Sequence, residues 1–150
     1  MARALKQESI ALLLETCGHF DLARFDALLY PWLDAIYFDL KLHDGEQHHR
    51  WCGAPNRVIL ENVAELYARS RGGGVTLLPR VPLIPNVTAT EDNLRDLAGF
   101  LKRLRVERVR LLPYDPTWIE KRAKMGMPPL ENADPAWRVW MTRAGHGATL

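Results

Sequence analysis

Residues 35–41 read AIYFDLK, a short apolar run closed by an acid and a base. The run is too short for a helix and rich in β-forming side chains, and it is bounded by Pro31 and by the polar segment HDGEQHHR at 43–50, so it reads as a buried parallel strand. Asp39 and Lys41 then stand at its C-terminal end. In parallel α/β folds that end faces the ligand crevice, which makes charges placed there candidates for binding rather than plain solvated surface.

Outward from this run the pattern repeats. Toward the N-terminus, residues 10–14 form a continuous apolar stretch that ends in Glu15, Thr16, Cys17 and Gly18, predicting a buried strand and a turn. Residues 1–7 have helical character without an N-terminal cap. Asp21 is placed to cap a helix with Leu22, Phe25, Leu28 and Leu29 on one face, which Pro31 closes. Toward the C-terminus a polar loop is expected to Asn56, followed by a helix carrying Ile59, Val63, Leu66 and Tyr67 up to Gly72-Gly73-Gly74. Residues 75–78 open a third strand, whose end bears Arg80 among Pro79, Pro82 and Pro85; the prolines predict a rigid loop or edge there. Thr90 caps the clearest amphipathic helix, with Leu94, Leu97, Ala98, Leu101 and Leu104 on one stripe, and residues 109–112 form a fourth strand before Pro113-Tyr114-Asp115-Pro116. Beyond it, short helices are expected at 118–125 and 135–140 and a frayed tail from Gly145.

Four strands separated by helices at the length of right-handed crossovers define an α/β protein with a parallel sheet or part of a barrel, and no linker interrupts it, so residues 1–150 read as a single domain. The 150 residues suffice for one core, and 47% apolar with 25% charged residues is ordinary globular composition. A net charge of +2 without a Lys/Arg stripe interleaved with aromatics excludes nucleic acid as an expected partner; Lys102-Arg103-Leu104-Arg105 reads as a solvated helix end. Two cysteines, no signal peptide and no apolar run of membrane length lead to the expectation of a reducing cytoplasmic setting and no membrane partner.

The strand ends gather Glu15, Thr16, Asp39, Lys41, Arg80 and Asp115. Acids pair with an ammonium group or a cation, and Lys or Arg with a carboxylate, so convergence on one rim would suit a ligand bearing both groups. Mutual ion pairing at a solvated barrel mouth accounts equally well for the same charges.

The segments LETCG at 14–18, FDLKLHD at 38–44, GAPNRVILENV at 53–63, RVPLIPNV at 80–87 and RVRLLPYDP at 108–116 together resemble the activating enzymes of glycyl radical enzymes. These are radical S-adenosylmethionine (SAM) oxidoreductases of the type that activates pyruvate formate-lyase. The resemblance extends over residues 1 to about 130 in order and spacing. It implies a partial (β/α) barrel that binds SAM and a [4Fe-4S] cluster and uses the 5′-deoxyadenosyl radical to remove hydrogen from a backbone glycine of a partner enzyme, with electrons from a flavodoxin-like reductant. By the same resemblance, Glu15, Thr16, Asp39 and Lys41 surround the methionine part of SAM, a monovalent cation lies at Glu15, Thr16 and Asp39, and Arg80 also faces SAM. Asp115 stands where the family usually has His, exchanging a donor for an acceptor, and Asn86 where it often has Gly.

One departure is larger. The family holds its cluster by CxxxCxxC, three thiolates fixing three irons and leaving the fourth open, and neither that motif nor the Gly-Gly-Glu segment of the family is present. The chain therefore reads as the C-terminal portion of the barrel, without cluster ligands or catalytic residues of its own. A non-catalytic module binding SAM or a partner protein is the rival reading. The incomplete barrel also predicts self-association through an uncovered sheet edge, or through an inner face onto which Leu12, Leu14, Phe38 or Leu78 would point. His43, His48, His49 and Cys52 match no regular zinc spacing, Cys17 reads as a small core or rim residue, and Trp137 and Trp140 as packing residues.

Overall fold

The computed structural model describes residues 1–114, Lys121 and residues 124–126; the segments expected at 118–125 and 135–140 lie largely or wholly outside the described residues, as does Asp115. Four strands, β1 (Leu13–Thr16), β2 (Ala35–Asp39), β3 (Thr76–Leu83) and β4 (Arg110–Pro113), form one sheet in that spatial order, every pair parallel. The helices are α1 (Ala2–Gln7), α2 (Leu22–Leu28), α3 (Gly45–Cys52), α4 (Arg57–Ser70) and α5 (Glu91–Arg103), with a 3-10 turn at Tyr30–Trp32 holding Pro31. The expected parallel α/β architecture with helical crossovers is thus the one observed.

Capping follows the sequence. Asp21 Oδ1 accepts the Arg24 N–H at 2.7 Å and Thr90 Oγ1 accepts that of Asn93 at 3.3 Å, each satisfying an otherwise orphaned amide at a helix start. Helix α1 lacks a side-chain cap, as expected, and is held to the domain at its far end, where Lys6 Nζ meets Asp34 Oδ1 at 2.5 Å. The other Asp34 oxygen accepts the Leu12 N–H at 2.7 Å.

Three boundaries differ from expectation. Strand β1 runs over Leu13–Thr16 rather than 10–14, because the Ile10 amide is taken by the Leu5 carbonyl at the end of α1; Glu15 and Thr16 are strand residues, not a turn. The segment before Asn56 is not a loop throughout but contains α3, capped by Asp44 on the Gln47 amide at 2.7 Å and stopped by Gly53 at φ 78°. Strand β3 continues through Pro79 and Pro82 to Leu83. Its residues 76–80 pair with β2 and 80–83 with β4. The Arg80 carbonyl accepts from Leu40, so even-numbered residues turn their backbone polar groups toward β2 and odd-numbered ones toward β4. Pro79 therefore lacks its N–H on the side where β4 has not yet begun, and Pro82 on the side where β2 has ended, so neither costs a ladder bond.

The core lies on one face of the sheet. Ile36 and Phe38 from β2 and Leu77 and Val81 from β3 pack with Phe25 of α2, Ile59, Val63 and Leu66 of α4, and Leu97 and Leu101 of α5. Phe38 is fully buried there, and Leu12 and Leu14 pack against the same cluster, which corrects their expected placement on the opposite face. Alternation along the strands sends Leu13, Glu15, Tyr37, Asp39, Leu78 and Arg80 to the other face. Gly18 closes β1 at φ 78°, and a Cβ built there would stand 1.9 Å from Phe38 Cζ, so glycine is required both by backbone and by space. Asn86 also has positive φ, 59°, a conformation that Asn tolerates better than other non-glycine residues.

Candidate functional site

The face opposite the core is organised by Arg80. Its Nε donates to Asp39 Oδ1 at 2.7 Å, and Nη1 and Nη2 donate to Glu15 Oε1 and Oε2, each at 3.0 Å. The guanidinium lies over the Tyr37 ring, 5.0 Å from its centroid. Register explains the convergence: Asp39 is the direct cross-strand neighbour of Arg80, and Glu15 that of Tyr37, so a long side chain on β3 crosses the β2 aromatic to reach an acid on β1. Bidentate pairing with a carboxylate and stacking on an aromatic are both properties of the planar guanidinium that a lysine would not reproduce.

The electrostatics follow from this geometry. The hydrogen bonds donated by Arg80 hold the Glu15 carboxyl below its ordinary value of 4.5. Reciprocally, bonding to Glu15 and then to Asp39 raises Arg80 further above its already high value, against the opposing effect of burial. The Arg80 side chain is only 10% exposed whereas that of Glu15 is 59% exposed, so the acid presents its outer lone pairs to solvent while the base is enclosed.

The remaining site residues divide. Lys41 lies two residues beyond Asp39 and makes no ion pair among the described residues; its carbonyl accepts from Asn93 Nδ2 at 2.9 Å. Thr16 pairs in register with Phe38, on the core side, lines an apolar cleft with Leu14, Phe20 and Phe25, and accepts the Gly18 N–H on Oγ1 at 3.0 Å. The structure therefore brings Glu15, Asp39 and Arg80 together and sets Thr16 on the other face of the sheet. Tyr37 was not singled out from sequence, although the two-residue period from Asp39 would have placed it on the Arg80 face.

The described residues do not fit an iron-sulfur cluster. Cys17 and Cys52 are both free thiols, and no three His, Cys, Asp or Glu side chains gather as a metal-binding group among the described residues. The Cys52 residue is exposed, and partial desolvation of its thiol shifts it above its ordinary value, the opposite of what a thiolate ligand needs. His48 is buried with Nδ1–H donating to the Ala54 carbonyl at 2.6 Å, a structural bond that ties α3 to the loop after it. Among the described residues no helix is long and apolar enough to cross a membrane.

An open four-stranded parallel sheet flanked by helices, with a charged cluster on the face opposite the core, defines the chain as an α/β protein of the partial-barrel kind. The chain is a relative of the activating enzymes of glycyl radical enzymes. It is 30% identical over 132 residues to isethionate sulfite-lyase activating enzyme of Oleidesulfovibrio alaskensis, covering 84% of this chain and 41% of that protein. Trans-4-hydroxy-L-proline dehydratase activating enzyme of Clostridioides difficile is 32% identical over 111 residues, 73% of this chain and 35% of that one. The chain thus spans well under half the length of these relatives. A crystal structure of a domain of pyruvate-formate lyase-activating enzyme from Bacteroides vulgatus shares the fold, with a TM-score of 0.64 at 24% identity over 86% of this chain and 85% of that domain. No family profile matches the chain.

Proposed function

We propose that the Arg80 rim is a wall of the SAM site of a glycyl-radical-enzyme activating enzyme, and that this chain is the C-terminal portion of its barrel. The observation supporting it is Arg80, enclosed on β3 beside the ends of β1 and β2 and shared between Glu15 and Asp39. Two acids gathered by Arg80, with Lys41 two residues beyond Asp39 in the chain, would suit a ligand carrying both an ammonium and a carboxylate. When bound, SAM would supply the carbon-sulfur bond whose reductive cleavage initiates hydrogen abstraction. Within this chain, Glu15 and Asp39 would accept from the ammonium, Lys41 would pair with the carboxylate, and Arg80 would hold both acids in place. Thr16 is assigned through its backbone at the end of β1, a cation beside Glu15 and Asp39 would share their outer lone pairs, and Asp115 extends the rim after β4.

The cluster is a separate matter, since two cysteines cannot supply three thiolates. Radical activity is proposed only for an assembly that contributes a CxxxCxxC segment, acting in the cytoplasm on a glycyl radical enzyme such as pyruvate formate-lyase and reduced by a flavodoxin-like protein. Self-association belongs to the same reading, because Leu13 on β1 and Leu111 on β4 are about half exposed at the two ends of the described sheet; light scattering over a concentration series distinguishes it from a strict monomer.

A non-catalytic SAM-binding module is the second reading, favoured by the cysteine count. An in-frame CxxxCxxC in the adjoining coding sequence would decide for the enzyme. Binding itself is tested by calorimetric titration of the full chain with SAM beside Arg80→Met and Asp39→Asn. The expected result is one-to-one binding weakened about tenfold or more in both variants, the loss of a charge-assisted hydrogen bond. No heat in the parent, or equal affinity in all three, overturns the site.

A further inference from the structure

Apart from the Arg80 cluster, three buried asparagines use their amide groups in one common way. Asn62 Nδ2 donates to the Gly18 and Phe20 carbonyls at 2.8 and 2.9 Å, in the loop after β1. Asn56 Nδ2 donates to the Leu42 and His43 carbonyls at 2.8 and 2.7 Å, after β2. Asn93 Nδ2 donates to the Lys41 and Thr88 carbonyls, both at 2.9 Å, and its Oδ1 accepts the His43 N–H at 2.8 Å. Only a primary amide offers two donors and an acceptor from one short side chain, so neither Asp nor Leu of similar size could replace it.

The second and third of these meet on the same three residues. Within segment 41–43 the carbonyls of Lys41, Leu42 and His43 and the amide of His43 are all held by Asn56 or Asn93. Satisfying buried carbonyls is reason enough for an asparagine somewhere nearby. It does not by itself require two asparagines from two helix starts to converge on the residues that follow Asp39. Asn93 moreover ties that segment to Thr88, whose hydroxyl donates to the Pro82 carbonyl at the end of β3 and accepts the Ile84 N–H at 2.7 Å. The segment after Asp39 and the end of β3, two residues beyond Arg80, are thereby linked through the side chains of Asn93 and Thr88.

We propose that Asn56 and Asn93 are positioning residues that fix the direction in which Lys41 leaves the end of β2, so that its ammonium is preorganised for the anionic group of a ligand on the Arg80 rim. The ligand part of this inference rests on the reading of that rim as a binding site; the positioning of Lys41 does not. Asn62 does the corresponding work after β1 and has no bond to segment 41–43.

The test exploits the small number of lysines, five in the whole chain. Each gives a separate resonance after reductive 13C-dimethylation, and Lys41→Arg assigns the one of interest. Asn93→Asp and Asn56→Asp keep the shape but set carboxylate oxygens against carbonyl oxygens; Asn62→Asp is the control for general loosening. Both test variants are expected to move the Lys41 resonance in the folded protein and to weaken SAM binding about tenfold, as small displacements of a binding group do, while Asn62→Asp leaves that resonance in place. Should one test variant fail to fold, the other supports the same comparison. An unmoved Lys41 resonance in a folded test variant overturns the proposal, as does an equal displacement in Asn62→Asp. If the parent chain binds no SAM, the site reading fails, and the resonance alone decides whether Asn56 and Asn93 position Lys41.

Discussion

Arg80 and Glu15 lie two strands apart, yet the guanidinium meets both carboxylate oxygens at 3.0 Å by crossing the Tyr37 ring. The contact fixes one of the most exposed acids of the rim by one of its most enclosed bases. Its consequence is a measurable titration. Replacing Arg80 by Met removes the principal cause that lowers the Glu15 carboxyl, so its midpoint should return upward to the ordinary value of 4.5. A carbon-detected NMR titration of Glu15 in the two proteins checks this; an unchanged midpoint would mean that the pair does not persist in solution.

Acid should destabilise the fold at a definable point. Glu15 and Asp34 both titrate lower in the folded chain than their ordinary values of 4.5 and 3.8, Glu15 through Arg80 and Asp34 through Lys6 and then the Leu12 amide. A depressed folded value contributes stability that is fully present above the unfolded value and lost as pH falls through the folded one. Urea unfolding midpoints should therefore be level on the alkaline side of these values and decline below about pH 4.5. Asp34→Asn and Glu15→Gln should each flatten part of that decline.

The end of β1 should tolerate no side chain. Gly18→Ala places a methyl against the Phe38 ring at 1.9 Å and forces a positive φ on alanine, which together should cost about 3 kcal/mol. Phe38→Ala removes a fully buried ring and should cost about 4 kcal/mol through the cavity it leaves. The two sites touch, so the double variant should fall short of the sum in an unfolding experiment.

Iron reconstitution should fail. With Cys17 and Cys52 as the whole thiol complement, anaerobic incubation with iron and sulfide should yield no stoichiometric four-iron cluster by visible absorption and iron counting. A full cluster would show that ligands other than cysteine assemble on this chain.

Much of the fold was legible because strand ends and helix caps leave local signatures: Asp21 and Thr90 cap where expected, and Asp39 closes its strand directly beside Arg80. What escaped had physical reasons. Helix α3 has no apolar stripe, being held by the Asp44 cap, the buried His48 and Gly53 rather than by periodicity. The prolines of β3 suggested a break because the pairing of a strand with different neighbours along its length is not a local property. In AIYFDLK the apolar Ile36, Phe38 and Leu40 alternate with Tyr37, Asp39 and Lys41, so the period already separates Phe38 from the charged face; that the helices cover the Phe38 side rather than leaving it as an inner face is decided by packing between elements far apart in sequence. Asn56, Asn62 and Asn93 read as ordinary polar residues near helix starts, since their targets are 5 to 52 positions away.

The divided pairing of β3 also shapes what the sheet can receive. Thr16 ends β1 level with Phe38 and Pro79, whereas Pro113 ends β4 level with Leu83, four residues further along β3. At about 3.3 Å per residue the strand ends climb by roughly 13 Å from one side of the sheet to the other. The rim is thus a staircase rather than a level lip. An elongated guest resting against Glu15 at the lower step would lie obliquely and lean on β4 at the upper, with the two ends of the guest read at different heights.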